Sequence, residues 1–182
     1  MENSKPNTRR IMRVSRKLRL TCKWLIICLP VVYGVLWTFF NQLYHMGPLI
    51  PLPVRVDHDL PRLTRFLAFW VDMIPAAVII YGLRKLEGLF RLYEQGIIFT
   101  AQNVKYFHSL GRALLVWVGC DVVRNSLLSI VLTLDNPPGH RVITVGFGSA
   151  DGAALFVGIV VLIISWVMDE GRKIQEEQAL IV

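Results

Sequence analysis

The chain has 182 residues, the length of one domain, yet 54% of them are hydrophobic and its mean hydropathy is +0.49, too apolar for a soluble domain of this size. A formal net charge of +7 would raise nucleic acid as a partner for a soluble protein, but the basic residues crowd beside the apolar runs, which is a topology signal. The composition therefore predicts a lipid bilayer as the first partner and no direct nucleic acid binding.

Residues 1–23 hold eight Lys/Arg against one acid. Such a basic head also fits a secretory signal peptide, but no small-residue cleavage site follows. The apolar run leads instead into Thr38-Phe39-Phe40-Asn41-Gln42-Leu43, so it reads as an uncleaved anchor. A bilayer core of about 30 Å needs about 20 helical residues. The first stretch that approaches this is 24–43, where Pro30, Gly34 and Thr38 offer a kink beside a small-residue face for close helix contact. The loop 44–65 carries Pro48, Pro51, Pro53 and Pro61 and is expected to run extended. Its Asp57-His58-Asp59 cluster reads as a solvated loop, not a metal site.

The second span is placed at 66–83, with Asp72 just ahead of the helix-kinking Pro75. Beyond it, Leu86, Leu89, Phe90 and Tyr93 recur at helical spacing opposite Arg84, Lys85, Glu87, Arg91 and Glu94, so an amphipathic helix should continue to Gly96. Thr100 is suited to cap the next helix, with Asn103 at its third position, and Val104, Phe107, Leu110 and Leu114 lead into a third span at 113–134. Residues 84–112 should thus form a helical hairpin. In the third span Asp121, Asn125 and Ser129 recur every four residues on one face, flanked by Arg124. A charge near the bilayer centre costs about 2.5 to 3.5 kcal/mol on insertion scales, so these residues should face other helices and find partners. Asp72, Asp121 and Arg124 are expected to form one buried network. It is open to three readings: a lock between the second and third helices, a site for an ion, proton or small ligand, or a seam for self-association.

The loop 135–149 opens on the turn Asp135-Asn136-Pro137-Pro138-Gly139 and continues as the β-rich run Arg141-Val142-Ile143-Thr144-Val145. This suggests a small strand pairing with Val54-Arg55-Val56. A fourth span follows at 150–168, and 169–182 reads as a charged extension of its helix. Fifteen Lys/Arg flank the spans on the side of the N-terminus, hairpin and tail, against four on the other, which puts both termini and the hairpin in the cytoplasm. Trp24, Trp37, Trp70 and Trp166 lie near span ends, where an indole favours the headgroup level. The expected fold is an all-α membrane protein of four transmembrane helices in one domain, the second and third prolonged into a cytoplasmic hairpin.

Gly96, Phe99, Asn103, Val104, Leu110 and Gly111, with the ending Glu170-Gly171-Arg172-Lys173-Ile174-Gln175-Glu176-Glu177-Gln178-Ala179-Leu180-Ile181-Val182, resemble the bacterial membrane family called domain of unknown function 2975. The layout matches over most of the chain, and the specific part is the hairpin turn and the tail. Gln102 departs from the family in standing where an acid is common, so no carboxylate role is implied there. The resemblance implies a small four-span protein of the bacterial cytoplasmic membrane, often encoded beside a small helix-turn-helix regulator. It implies no reaction.

Cys22, Cys28 and Cys120 lack metal-like spacing and read as apolar fillers. No Gly-rich phosphate loop, GxSxG, HExxH or CxxC pattern occurs, so neither catalysis nor a cofactor is expected. The leading expectation is a non-enzymatic regulatory or interaction protein that contacts a cytoplasmic or membrane partner through the hairpin, the basic N-terminus and the tail residues Arg172, Glu176 and Glu177. The alternatives are a small transporter or channel-like protein that uses Asp72, Asp121, Arg124 and Asn125, or an accessory subunit of a membrane complex. Homo-oligomerisation fits any of these.

Overall fold

The computed structural model describes residues 4–45, 52–56, 59–97, 100–137 and 141–180, with side chains over 10–44, 52–56, 59–97, 100–137 and 141–174. Pro48, Pro51, Asp57, His58, Phe99, Pro138, Gly139 and His140 lie outside the described residues, as do the side chains of Glu176 and Glu177. Within them the fold is all-helical: α1 Ser4–Thr38, α2 Phe40–His45, α3 Arg62–Glu94, α4 Ala101–Leu132 and α5 Ser149–Leu180. Four helices are long and apolar enough to cross a membrane, over Arg10–Thr38, Arg62–Glu94, Ala101–Leu132 and Ser149–Ile174. Their lengths exceed the ~20 residues that a bilayer requires.

Each long helix packs on its neighbour in the chain. α1 lies on α3, α3 on α4, and α4 on α5, with no comparable packing between the first and last. The result is an open row of antiparallel helices. Glycine sets the closest approaches. A Cβ on Gly111 would stand 2.7 Å from Leu162 and 3.0 Å from the Gly158 carbonyl, so α4 and α5 cross nearly backbone to backbone there. Gly88 of α3 makes room for a side chain of α4, since a Cβ there would meet the Tyr106 ring at 2.6 Å.

The turn between α3 and α4 is built by its backbone. Gly96 has φ +75°, the left-handed conformation in which a side chain is costly. The Gly96 N–H donates to the Tyr93 carbonyl (3.1 Å) and the Ile97 N–H to the Leu92 carbonyl (3.0 Å), which together form a Schellman stop. Thr100 takes the N-cap position of α4 with extended dihedrals, but its hydroxyl makes no capping bond, contrary to the sequence expectation. Asn103, fully buried, instead donates from Nδ2 to the Ile97 carbonyl (3.1 Å) and ties the turn to the helix.

A core of Trp37, Phe40, Val56, Leu60, Ala68, Leu128 and Leu132 fills the opposite end. Asn41 clamps the incoming loop there, its Nδ2 donating to the Leu60 carbonyl (3.2 Å) and its Oδ1 accepting the Leu60 N–H (3.1 Å). The expected strand pairing is absent, and no strand occurs among the described residues. Helix hydroxyls take the backbone donors that a ladder would use. The Val142 N–H donates to Thr133 Oγ1 (3.4 Å) and the Thr144 N–H to Ser129 Oγ (3.0 Å). Residues 141–148 therefore run along α4 in non-helical form while Val56 is buried in the core.

Candidate functional site

Trp37 has the one side-chain donor that an indole offers. α1 places it at the level where α3 carries Asp72, and its Nε1–H donates to Asp72 Oδ2 (2.7 Å). It is 2% exposed, so it serves as an internal donor and not as the headgroup anchor that its position near a span end suggests. Trp24, Trp70 and Trp166 are exposed. From the other side Arg124 Nε donates to Asp72 Oδ1 (2.6 Å). Both oxygens of a fully buried carboxylate are thus occupied, one by an ion pair and one by an indole, which is how a charge survives away from water.

The chain of bonds continues along α4. Arg124 Nη1 donates to Asn125 Oδ1 (3.0 Å), and Asn125 Nδ2 donates to Asp121 Oδ2 (3.0 Å). The i,i+4 spacing of Asp121 and Asn125 stacks them on one face, so the amide relays between the guanidinium and the second carboxylate. Asp72, Arg124, Asn125 and Asp121 form one network. Ser129 is not part of it. Its hydroxyl donates to the Ser126 carbonyl (2.7 Å) and accepts the Thr144 N–H, a backbone role for the non-helical segment.

Sequence reasoning missed Trp37, Thr133 and Asp151. Trp37 lies 35 residues from Asp72, and no local pattern links them. Asp151 occupies the first turn of α5, where its Oδ2 accepts the Gly148 N–H (2.7 Å) as the reciprocal half of a capping box. An acid in a first helical turn is a common capping signal, and it hides the fact that this side chain is only 2% exposed.

At the hairpin end, Arg19 of α1 pairs with Glu94 of α3 (3.2 Å) and Lys23 with Glu87 (3.5 Å). The basic head of α1 is thereby held against the extension of α3, while Arg10, Arg13, Arg16 and Lys17 remain exposed. The residues of the expected interaction hairpin mostly shape the turn. Asn103 and Gly111 are buried, and Thr100, Val104 and Leu110 are half-buried. The Val104 carbonyl accepts the Ser165 hydroxyl (3.1 Å), which docks α5. Gly96 is exposed. In the tail, Arg172 Nη2 meets Asp169 (3.1 Å) and Lys173 meets both Asp169 (3.4 Å) and Glu170 (3.3 Å), pairs one helical turn apart on the exposed side of α5.

Four apolar crossing helices joined by buried polar bonds define a multi-pass membrane protein. Within that class, the chain belongs to the family described as protein of unknown function DUF2975, whose model matches residues 56–182. That stretch contains Asp72, Asp121, Arg124, Asn125 and Asp151, whereas Trp37 precedes it. Neither the curated proteins nor the solved structures contain a significant match.

Proposed function

We propose that the protein is a non-enzymatic membrane component that works by contact with another protein at the hairpin end. In this reading it resides in a bacterial cytoplasmic membrane with both termini and the hairpin on the cytoplasmic side. The excess of Lys/Arg flanking that side supports the orientation. The observation that carries the proposal is the joining of α1 to the hairpin through Arg19–Glu94 and Lys23–Glu87. The basic head of α1 and the turn then lie at one end of the protein, with Arg10, Arg13, Arg16 and Lys17 exposed on α1, Arg91 exposed on α3, Gln95 exposed at its C-terminal end, and Gln102 and Lys105 exposed on α4. The charge there selects an acidic partner and raises encounter rates. A small helix-turn-helix regulator is the partner that the family resemblance suggests.

The motif residues Asn103 and Gly111 build the surface without belonging to it, so the contacts fall to their exposed neighbours. The tail acids Asp169 and Glu170 are engaged with Arg172 and Lys173, which leaves the basic strip as the dominant field. Crosslinking in native membranes, with Arg13, Arg16 and Lys17 changed together to Gln, tests it. Loss of a crosslinked partner at unchanged protein level is the expected result, and an unchanged partner list refutes the proposal.

A further inference from the structure

We infer that Asp121 of α4 and Asp151 of α5 form a binding site for one monovalent cation, a proton or sodium, inside the α4–α5 seam. The inference is independent of the proposal for the hairpin surface. It begins with register. Ser165 reaches Val104, Gly158 lies against Leu114, and a Cβ on Gly111 would touch Leu162 and the Gly158 carbonyl. Continued along two antiparallel helices, those pairings bring Asp121 and Asp151 to the same level. At ~1.5 Å per residue that level is about 16 Å inside the Leu132 end of α4, well within the crossing.

The second observation is an orphan. Asp151 is 2% exposed, and while its Oδ2 accepts the Gly148 N–H, its Oδ1 is buried without a hydrogen-bond partner. Among the described helices α5 packs extensively only on α4, so the cover over this side chain comes from α4 and the segment leading into α5. Arg124 and Asp151 both lie near enough for their charges to act on Asp121. A buried carboxylate oxygen with no donor is costly, and a bound cation is what removes the cost.

The charge count points the same way. The groups that bear on Asp121 are Tyr33 from α1, Asp72 from α3, Arg124 and Asn125 from α4, and Asp151 from α5. Arg124 is the one cation among them, and its Nε is committed to Asp72 at 2.6 Å. Two further carboxylates remain at one level of the membrane. Like charges so placed repel each other in a medium of low dielectric, and a cation held between them removes the repulsion. Asn125 holds Asp121 Oδ2, so Asp121 presents its other oxygen for the shared charge. The mouth of the site is partly open, since Asp121 is half-buried while Asp151 is closed off.

The test uses the full chain in vesicles and a hydrophobic carbodiimide, which modifies carboxyl groups that carry a proton in an apolar setting; peptide mass spectrometry locates the adduct. One adduct per chain, at Asp121 or Asp151, with a yield that falls at least tenfold between mildly acid and alkaline pH, is expected for the wild type. Asp72, paired with Arg124, should stay unmodified. Sodium that slows the reaction at constant pH identifies sodium as a competing occupant, and indifference to sodium identifies the proton alone; both support the site. Asp151→Asn, which retains an acceptor for Gly148, should cut modification of Asp121 at neutral pH severalfold. No adduct at either residue in the wild type at any pH overturns the inference. So does modification of Asp121 that is unchanged in a folded Asp151→Asn protein. The wild-type pH profile decides the matter even if the variant fails to fold.

Discussion

Asp72 gives the most demanding test of how the helices are held. Replacing Arg124 by Met removes the Nε donor at 2.6 Å and leaves a fully buried carboxylate with only the Trp37 indole. Removing one partner of a buried pair costs about 3–5 kcal/mol in water-soluble proteins. Polar contacts between membrane helices are weaker, averaging about 0.6 and reaching about 1.7 kcal/mol, because the separated helices also find partners in the bilayer. The Asp72 contact is charged on both sides and its carboxylate is fully buried, so the loss should exceed the upper membrane figure, at about 2–3 kcal/mol. Asp72→Leu should cost a similar amount by stranding Arg124. The double change removes both charges and should restore most of the loss, giving a coupling above about 1.5 kcal/mol. Reversible unfolding of the four variants in mixed micelles, followed by circular dichroism, measures the cycle. Single changes that each cost under about 1 kcal/mol, or a double change equal to their sum, would refute the assignment of Asp72–Arg124 as the bond between α3 and α4.

Gly111→Val should lower the unfolding midpoint clearly, at about 1–3 kcal/mol, because the new side chain meets Leu162 and the Gly158 backbone; a thermal melt in detergent reads it. Gly96→Ala places a Cβ in the left-handed region at φ +75° and should cost about 1–2 kcal/mol even though nothing lies within 4 Å, a case of backbone strain without a clash. Trp37→Phe keeps the ring in the core but deletes the donor to Asp72 Oδ2, for an expected loss of about 1.5–3 kcal/mol in the same melt. Cys22, 4% exposed, should resist alkylation by a maleimide until the protein unfolds, which mass spectrometry of labelled intact protein will show.

Much of the helical layout is legible in the sequence because apolar length and helical periodicity are local quantities. The run from Phe66 through Tyr93 and the step from Gly96 to Thr100 mark α3, its stop and the start of α4 closely. The polar face of α4 is legible for the same reason, since Asp121 and Asn125 are one turn apart. What could not be read depends on pairings between distant segments. β-rich residues 141–145 look like a strand, but the Ser129 and Thr133 hydroxyls capture their N–H groups, a match no periodicity announces. Thr100 satisfies the sequence rule for a cap, yet Asn103 turns to the Ile97 carbonyl instead. Trp37 reads as a belt residue until Asp72 is placed beside it. Asp151 reads as a cap and is one, and only burial reveals its second, unpaired oxygen.

The open row of helices bears on how the protein is made. Since α1 meets α3, α3 meets α4 and α4 meets α5, each new helix finds its docking partner in the one synthesised just before it, apart from the short α2. Among the described residues no extensive packing between the first and last helices has to wait for the chain to be finished, which keeps contact order low. Until α4 arrives with Arg124, the Trp37 indole is the one partner that the earlier helices offer Asp72, so the middle of synthesis should be the moment of greatest vulnerability. A pause or a truncation between α3 and α4 should therefore be more harmful than one between α4 and α5, by which point the Asp72–Arg124 pair can form.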